Sequence, residues 1–164
     1  GLDAEAALDA VIGEAEHVEY RQLLIVDRDG NTAIHSGGKS LGMHTEHAAR
    51  DVAAAGNLLA NDNIPRAMVE AFLSSEGHLG NRLITAIRGA LAAGGEAGPV
   101  HSAGMLLVDR QDWPLAELRC DWSEDCPIEN IAAAWDVYRP QMDDYVTRAL
   151  DPSAAPSYGV PGDE

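Results

Sequence analysis

Apolar positions along the chain change their spacing several times, and each change marks a new element. Leu8, Val11 and Ile12 recur at helical intervals behind Asp3, which can cap a helix with Glu5 in its first turn; that helix ends near Gly13. Gln22-Leu23-Leu24-Ile25-Val26 is apolar at consecutive positions, the pattern of a strand buried on both faces. Asp27-Arg28-Asp29-Gly30-Asn31 then turns the chain back into Thr32-Ala33-Ile34-His35 as a hairpin. From Ser36 to Glu46 glycine and polar residues predominate, and a surface loop bordering a site is expected. A strand rich in small residues follows over Asp51 to Leu58 and opens at Gly56-Asn57 into a turn.

The second half repeats this alternation of periods. Asn63 and Pro65 begin a helix with Ile64, Met68, Ala71 and Phe72 on one face; Gly77 interrupts the chain. Leu79, Leu83, Ile84, Ile87 and Leu91 line a second helix, which stops at Gly94-Gly95. Ala103 to Val108 is strongly apolar and is turned back at Asp109-Arg110-Gln111-Asp112 into an edge strand near Pro114, with Leu118, Cys120 and Trp122 on one face. Ile128, Ile131, Ala132, Trp135 and Tyr138 mark a helix that Pro140 interrupts; Met142, Tyr145, Val146, Ala149 and Leu150 mark its successor. Hairpins separated by paired helices indicate an α+β arrangement over a single domain, residues 1–150. Pro152, Pro156, Pro161, Gly159 and Gly162 predict an irregular tail over 151–164.

Composition narrows the function classes. The length of 164 residues suits one sizeable core, and a formal charge of −16 leaves no basic patch for nucleic acid or an anionic membrane surface. No window approaches a membrane span of roughly 20 apolar residues and no signal peptide is evident, so a cytoplasmic protein is expected. Cys120 and Cys126 then read as reduced structural thiols. A homodimer is expected from the general frequency of symmetric dimers.

Candidate chemistry is sparse. His44 and His47, with Glu46 between them and His35 as a third nitrogen, could bind a metal if this segment were helical; exposed histidines are the simpler reading, and no metal or cofactor is assigned. Ser102 follows His101 in a context unlike the strained elbow of a serine hydrolase. Neither a phosphate loop nor a dinucleotide fingerprint occurs.

Several stretches carry a family resemblance: Ala55-Gly56-Asn57-Leu58-Leu59-Ala60, Ala67 to Phe72, Gly94-Gly95-Glu96 and Ser102 to Val108. Trp113-Pro114 with Leu118-Arg119, Arg148 to Pro152 and Tyr158 to Gly162 complete the series. In these the chain resembles the uncharacterised family called domain of unknown function 1028, whose members are similar in fold to N-terminal nucleophile (Ntn) hydrolases. The resemblance implies a four-layer αββα sandwich from which the family's first strands are missing. It also implies hydrolysis of an amide bond in a small molecule, by a nucleophile outside this chain, since Gly1 has no nucleophilic side chain. Within the chain, Gly56 and Asn57 are then candidates for an oxyanion hole, and Ser102 and His35 for substrate binding. A non-catalytic ligand-binding or interaction module on the same scaffold is the alternative, with a metal-dependent hydrolase third.

Overall fold

Asp3 starts the first helix, α1 (Ala4–Glu14), by accepting the Ala6 amide at 2.8 Å. The computed structural model describes residues 1–162, and the chain divides into two units, Gly1–Val100 and His101–Glu164. In the first unit, α1 buries Ala4 and Leu8 against Ala33, with Ile12, Leu23 and Ile25 packed around them. Leu23, Ile25 and Ala33 belong to the antiparallel hairpin β1 (Gln22–Val26) and β2 (Thr32–Ser36), in which Leu24 pairs with Ile34.

The carboxylate of Asp27 organises the hairpin turn. It accepts the backbone amides of Asp29 and Asn31 and the Asn31 side-chain amide, each at 2.9 Å, and reaches the Ala4 amide at 3.2 Å. These bonds, led by that from the Asn31 side chain, hold its pKa below the ordinary Asp value. One residue thereby fixes both the turn and the start of α1.

Two expectations are corrected here. The strand β1 is covered on one face: Leu23 and Ile25 meet the α1 layer, whereas Leu24 and Val26 are exposed. The second correction lies within the glycine- and histidine-bearing stretch, where Thr45–Ala49 is a strand, β3, paired antiparallel with β4 (Val52–Gly56). Its own residues alternate poorly, but they face the run Ala53, Ala54 and Ala55, whose small side chains admit almost any partner.

The two hairpins are tied together at both ends. The Gln22 side-chain amide donates to Ser36 Oγ at 2.9 Å and to the Thr45 carbonyl at 3.4 Å. At the other end Asp51 donates its amide to the Gly30 carbonyl at 2.9 Å, and Arg50 donates to the Asp29 carbonyl at 2.6 Å. Gly30 has φ +80°, which favours glycine, and the exposed Asp51 carboxylate lies where a Cβ would sit and would have to swing aside for one.

Helices α2 (Ile64–Ser74) and α3 (Leu79–Ala92) cross where Gly89 meets Ala67 and Ala71. Asn63 occupies the cap position of α2 without a side-chain cap bond; Asn61 instead accepts the Asn63 amide at 3.0 Å and donates to the Ala93 carbonyl at 2.7 Å. In the second unit the hairpin β5 (Ala103–Leu107) and β6 (Ala116–Cys120) lies against α4 (Pro127–Tyr138). Met105, Leu107, Ala116, Ile128, Ile131, Ala132 and Trp135 are buried. Pro140 converts Arg139–Gln141 into a tight turn before α5 (Met142–Leu150).

Residues 151–162 form neither helix nor strand, and Arg148 holds the Pro156 carbonyl at 2.6 Å while lying over the Tyr158 ring. Asp163 and Glu164, the end of the expected tail, lie outside the described residues. The architecture is therefore mixed α+β, with three two-stranded antiparallel sheets among the described residues. No described helix is long and apolar enough to cross a membrane.

Candidate functional site

At the end of β4 the chain makes a turn that three separated segments stabilise. Gly56 pairs with Thr45 in the ladder, and a Cβ added to it would approach the Leu59 side chain at 2.8 Å. Asn57 is exposed, and its side chain has no hydrogen bond among the described residues. Leu58 follows with φ 53°, a left-handed conformation in which the Cβ of an L-residue crowds the next carbonyl. Tertiary hydrogen bonds hold it there. The Leu58 amide donates to the Leu41 carbonyl, and the Leu59 amide to the Met43 carbonyl, both at 3.0 Å. On the other side Ala97 donates to the Leu58 carbonyl at 2.7 Å and Ala60 to the Gly95 carbonyl at 3.0 Å.

Leu59 is buried with Ile64 and Ala90, anchoring the turn to α2 and α3. Gly42, itself at φ +64°, lies against Leu58, where a Cβ would be held to a tight 3.0 Å from the Leu58 side chain. The consequence for hydrogen bonding is definite. The amides of Leu58 and Leu59 are already used, whereas neither the backbone amide nor the side chain of Asn57 has a hydrogen-bond partner among the described residues. Leu41, Met43 and Leu58 are exposed apolar residues of the same turn and its supporting loop.

Ser40 adjoins this arrangement. Its hydroxyl oxygen is buried and has no hydrogen-bond partner among the described residues, an uncommon state for a polar group. Its amide donates to the Gly37 carbonyl at 3.0 Å, and the next residue, Leu41, supplies the carbonyl that receives Leu58. Neither Ser40 nor the supporting role of Leu41 and Met43 emerges from reading the loop as a sequence. The sole hint was the density of glycines around them.

The other candidates occupy different places. His35 lies on the strand face shared with Leu23 and Ala33, toward α1, and its Nε2 is 3.0 Å from the Val18 carbonyl. Ser102 is exposed and belongs to the second unit. His44 and His47 lose the helical basis for sharing a face, because they precede and lie within a strand whose side chains alternate with a period of two. The His44 ring instead sits 3.2 Å from the Gly42 carbonyl, and no group of three or more potential metal ligands gathers among the described residues.

These features define a mixed α+β protein with a strained turn at the end of a small-residue strand. The model of a family described as "Family of unknown function (DUF1028)" matches residues 1–131, and the chain belongs to that family. It is also similar to the crystal structure of protein SPO2555 from Silicibacter pomeroyi, itself described under DUF1028. The two are 29% identical with a TM-score of 0.74; the match covers 84% of this chain. It covers 61% of the other, so the chain spans less than two thirds of that protein's length. No curated protein matches the chain.

Proposed function

We propose that this chain contributes to an Ntn-type amidohydrolase acting on a small molecule, within a four-layer αββα sandwich of which it supplies part. The observation that carries this reading is the free Asn57 side chain, presented at a strand end by a turn whose adjoining amides are already bonded. A side-chain amide with no partner inside the fold can donate to a developing oxyanion without breaking an internal hydrogen bond. In this reading the backbone amides of Gly56 and Asn57 join the Asn57 side chain as oxyanion donors, and the exposed Leu41, Met43 and Leu58 contact the apolar part of the substrate. The reaction further requires a Thr, Ser or Cys nucleophile whose own α-amine serves as base, a role that none of these residues fills. Ser102 and His35 are retained as candidate substrate contacts.

The test is turnover of a panel of small chromogenic amides by the full-length protein and its Asn57→Ala variant. Loss of an oxyanion donor predicts a decrease of about 10²–10³ in kcat. Unchanged turnover would remove Asn57 from the reaction. The apolar residues around Asn57 also suit a ligand-binding module without catalysis. That second reading is favoured if Asn57→Ala weakens binding of an amide that neither protein hydrolyses. The same proposal treats the protein as a cytoplasmic homodimer, with free Cys120 and Cys126; sedimentation showing monomer alone would overturn the dimer.

A further inference from the structure

Trp122 presents an unusual combination of exposure and fixation. It is 66% exposed, although burying an indole is among the larger apolar gains open to a chain. One face is nevertheless covered by the His101 ring, with centroids 4.1 Å apart and planes within 8° of parallel. Its Nε1–H donates to Glu124 Oε1 at 2.8 Å, which fixes the edge. A ring stacked on one face and still two-thirds exposed has its opposite face open to solvent.

The supports are themselves braced. His101 Nδ1 lies 2.9 Å from the Ser123 carbonyl, and the Ser123 amide donates to the His101 carbonyl at 2.8 Å. Ser123 Oγ accepts the Asp125 amide at 3.1 Å and the Asn130 side-chain amide at 3.0 Å, tying the loop to the first turn of α4. An exposed side chain held in this way has already lost the rotamer freedom that ligand binding would otherwise remove.

The electrostatics select the ligand. The face of an indole carries the negative end of its quadrupole and attracts cations. Asp121, Glu124, Asp125, Glu129 and Asp136 fall between residues 120 and 138, a stretch containing no Lys or Arg. The nearest arginine in sequence, Arg119, is engaged by Asp121 at 2.7 Å.

We propose that Trp122 is the platform of a binding site for an organic cation, a guanidinium or alkylated ammonium group, which stacks on the open indole face and pairs with Glu124. A phosphorylated or carboxylated ligand is disfavoured by the same carboxylates. A neutral sugar or ring would use the stacking surface and leave the charge unexploited.

The test follows the indole N–H resonance of Trp122 in ¹⁵N-labelled protein, assigned with Trp122→Phe, at constant ionic strength. Nα-acetylated arginine amide is the probe and Nα-acetylated citrulline amide its neutral counterpart of nearly equal shape. The arginine derivative should shift the resonance saturably, the citrulline derivative should bind about threefold to tenfold more weakly, and Trp122→Ala should lose the site. The unmoved indole resonances of Trp113 and Trp135 would show that the variant is folded. In both variants, which lack the Trp122 resonance, affinity is read by calorimetric titration; Trp122→Phe, which keeps a smaller π face, should weaken binding without abolishing it. Equal binding of the two amides, an absence of saturable shift, or unaltered affinity in a folded Trp122→Ala protein would each overturn the proposal.

Discussion

Gly37 lies against the Glu19 backbone so closely that the Glu19 carbonyl carbon and oxygen occupy the place of a Cβ. Around it the start of the long loop is joined to the segment before β1: Gly37 donates to the Arg21 carbonyl at 2.9 Å, and Lys39 to that of Glu19 at 2.8 Å. Replacing Gly37 by Ala forces two backbones apart, where neither can yield by rotating a side chain. The expected cost is about 1–3 kcal/mol, measured by urea unfolding. An unchanged midpoint would show that the contact is looser than described.

The left-handed Leu58 gives a paired prediction. Glycine adopts this backbone freely, so Leu58→Gly should preserve stability or raise it by up to about 1 kcal/mol. Leu58→Val adds a branch at Cβ and should lose about 1–2 kcal/mol. The comparison of the two variants is the informative quantity, since both remove part of an exposed side chain. Equal stabilities would argue that the backbone relaxes and that the turn stores no strain.

Acid should weaken the hairpin turn through Asp27. Its pKa is depressed in the folded protein, chiefly by the Asn31 side-chain bond, so the stability it contributes is fully present above the unfolded Asp value of about 3.9. That contribution is lost as pH falls from there through the lower folded value. Asp27→Asn should be less stable near pH 6 and should show a flatter dependence below pH 4. Parallel curves for the two proteins, followed by thermal unfolding, would contradict the assignment.

In the second unit the Tyr138 hydroxyl donates to the Leu115 carbonyl at 2.8 Å. Partial burial raises its pKa, the neighbouring Tyr145 and Tyr158 adding to the effect. Tyr138→Phe leaves that carbonyl without this donor and should cost about 1 kcal/mol. The raised value also means that the tyrosine contributes stability below its unfolded pKa and loses it as pH rises through the folded one. Alkaline unfolding should therefore become shallower in the variant, which a denaturation series around pH 9–11 would detect.

Local spacing sufficed for α1, the first hairpin, the α2–α3 pair, the second-unit hairpin and the interrupted helices at Pro140. In each, a burial stripe repeats along consecutive residues with the period of the element itself, so neighbours in sequence carry the signal. The small-residue run ending in Gly56-Asn57 was legible for a similar reason: glycine and alanine mark close approach wherever they cluster. The chain's membership of its family was legible too, through motifs spread over its length.

Other features arise from partners distant along the chain. Thr45–Ala49 has no strand-like alternation and becomes one because β4 offers it a ladder. Leu58 is left-handed because carbonyls from Leu41 and amides from Ala97 hold its two sides, and no property of leucine announces that. Leu24 and Val26 look like core residues in sequence, yet exposure depends on whether a second layer arrives, and in their unit α1 covers the opposite face. Periodicity records which residues can be buried together; it does not record which distant backbone will supply the missing hydrogen bond or the covering surface. That is why the position of Asn57 could be anticipated, whereas the bonds that present it had to come from the folded chain.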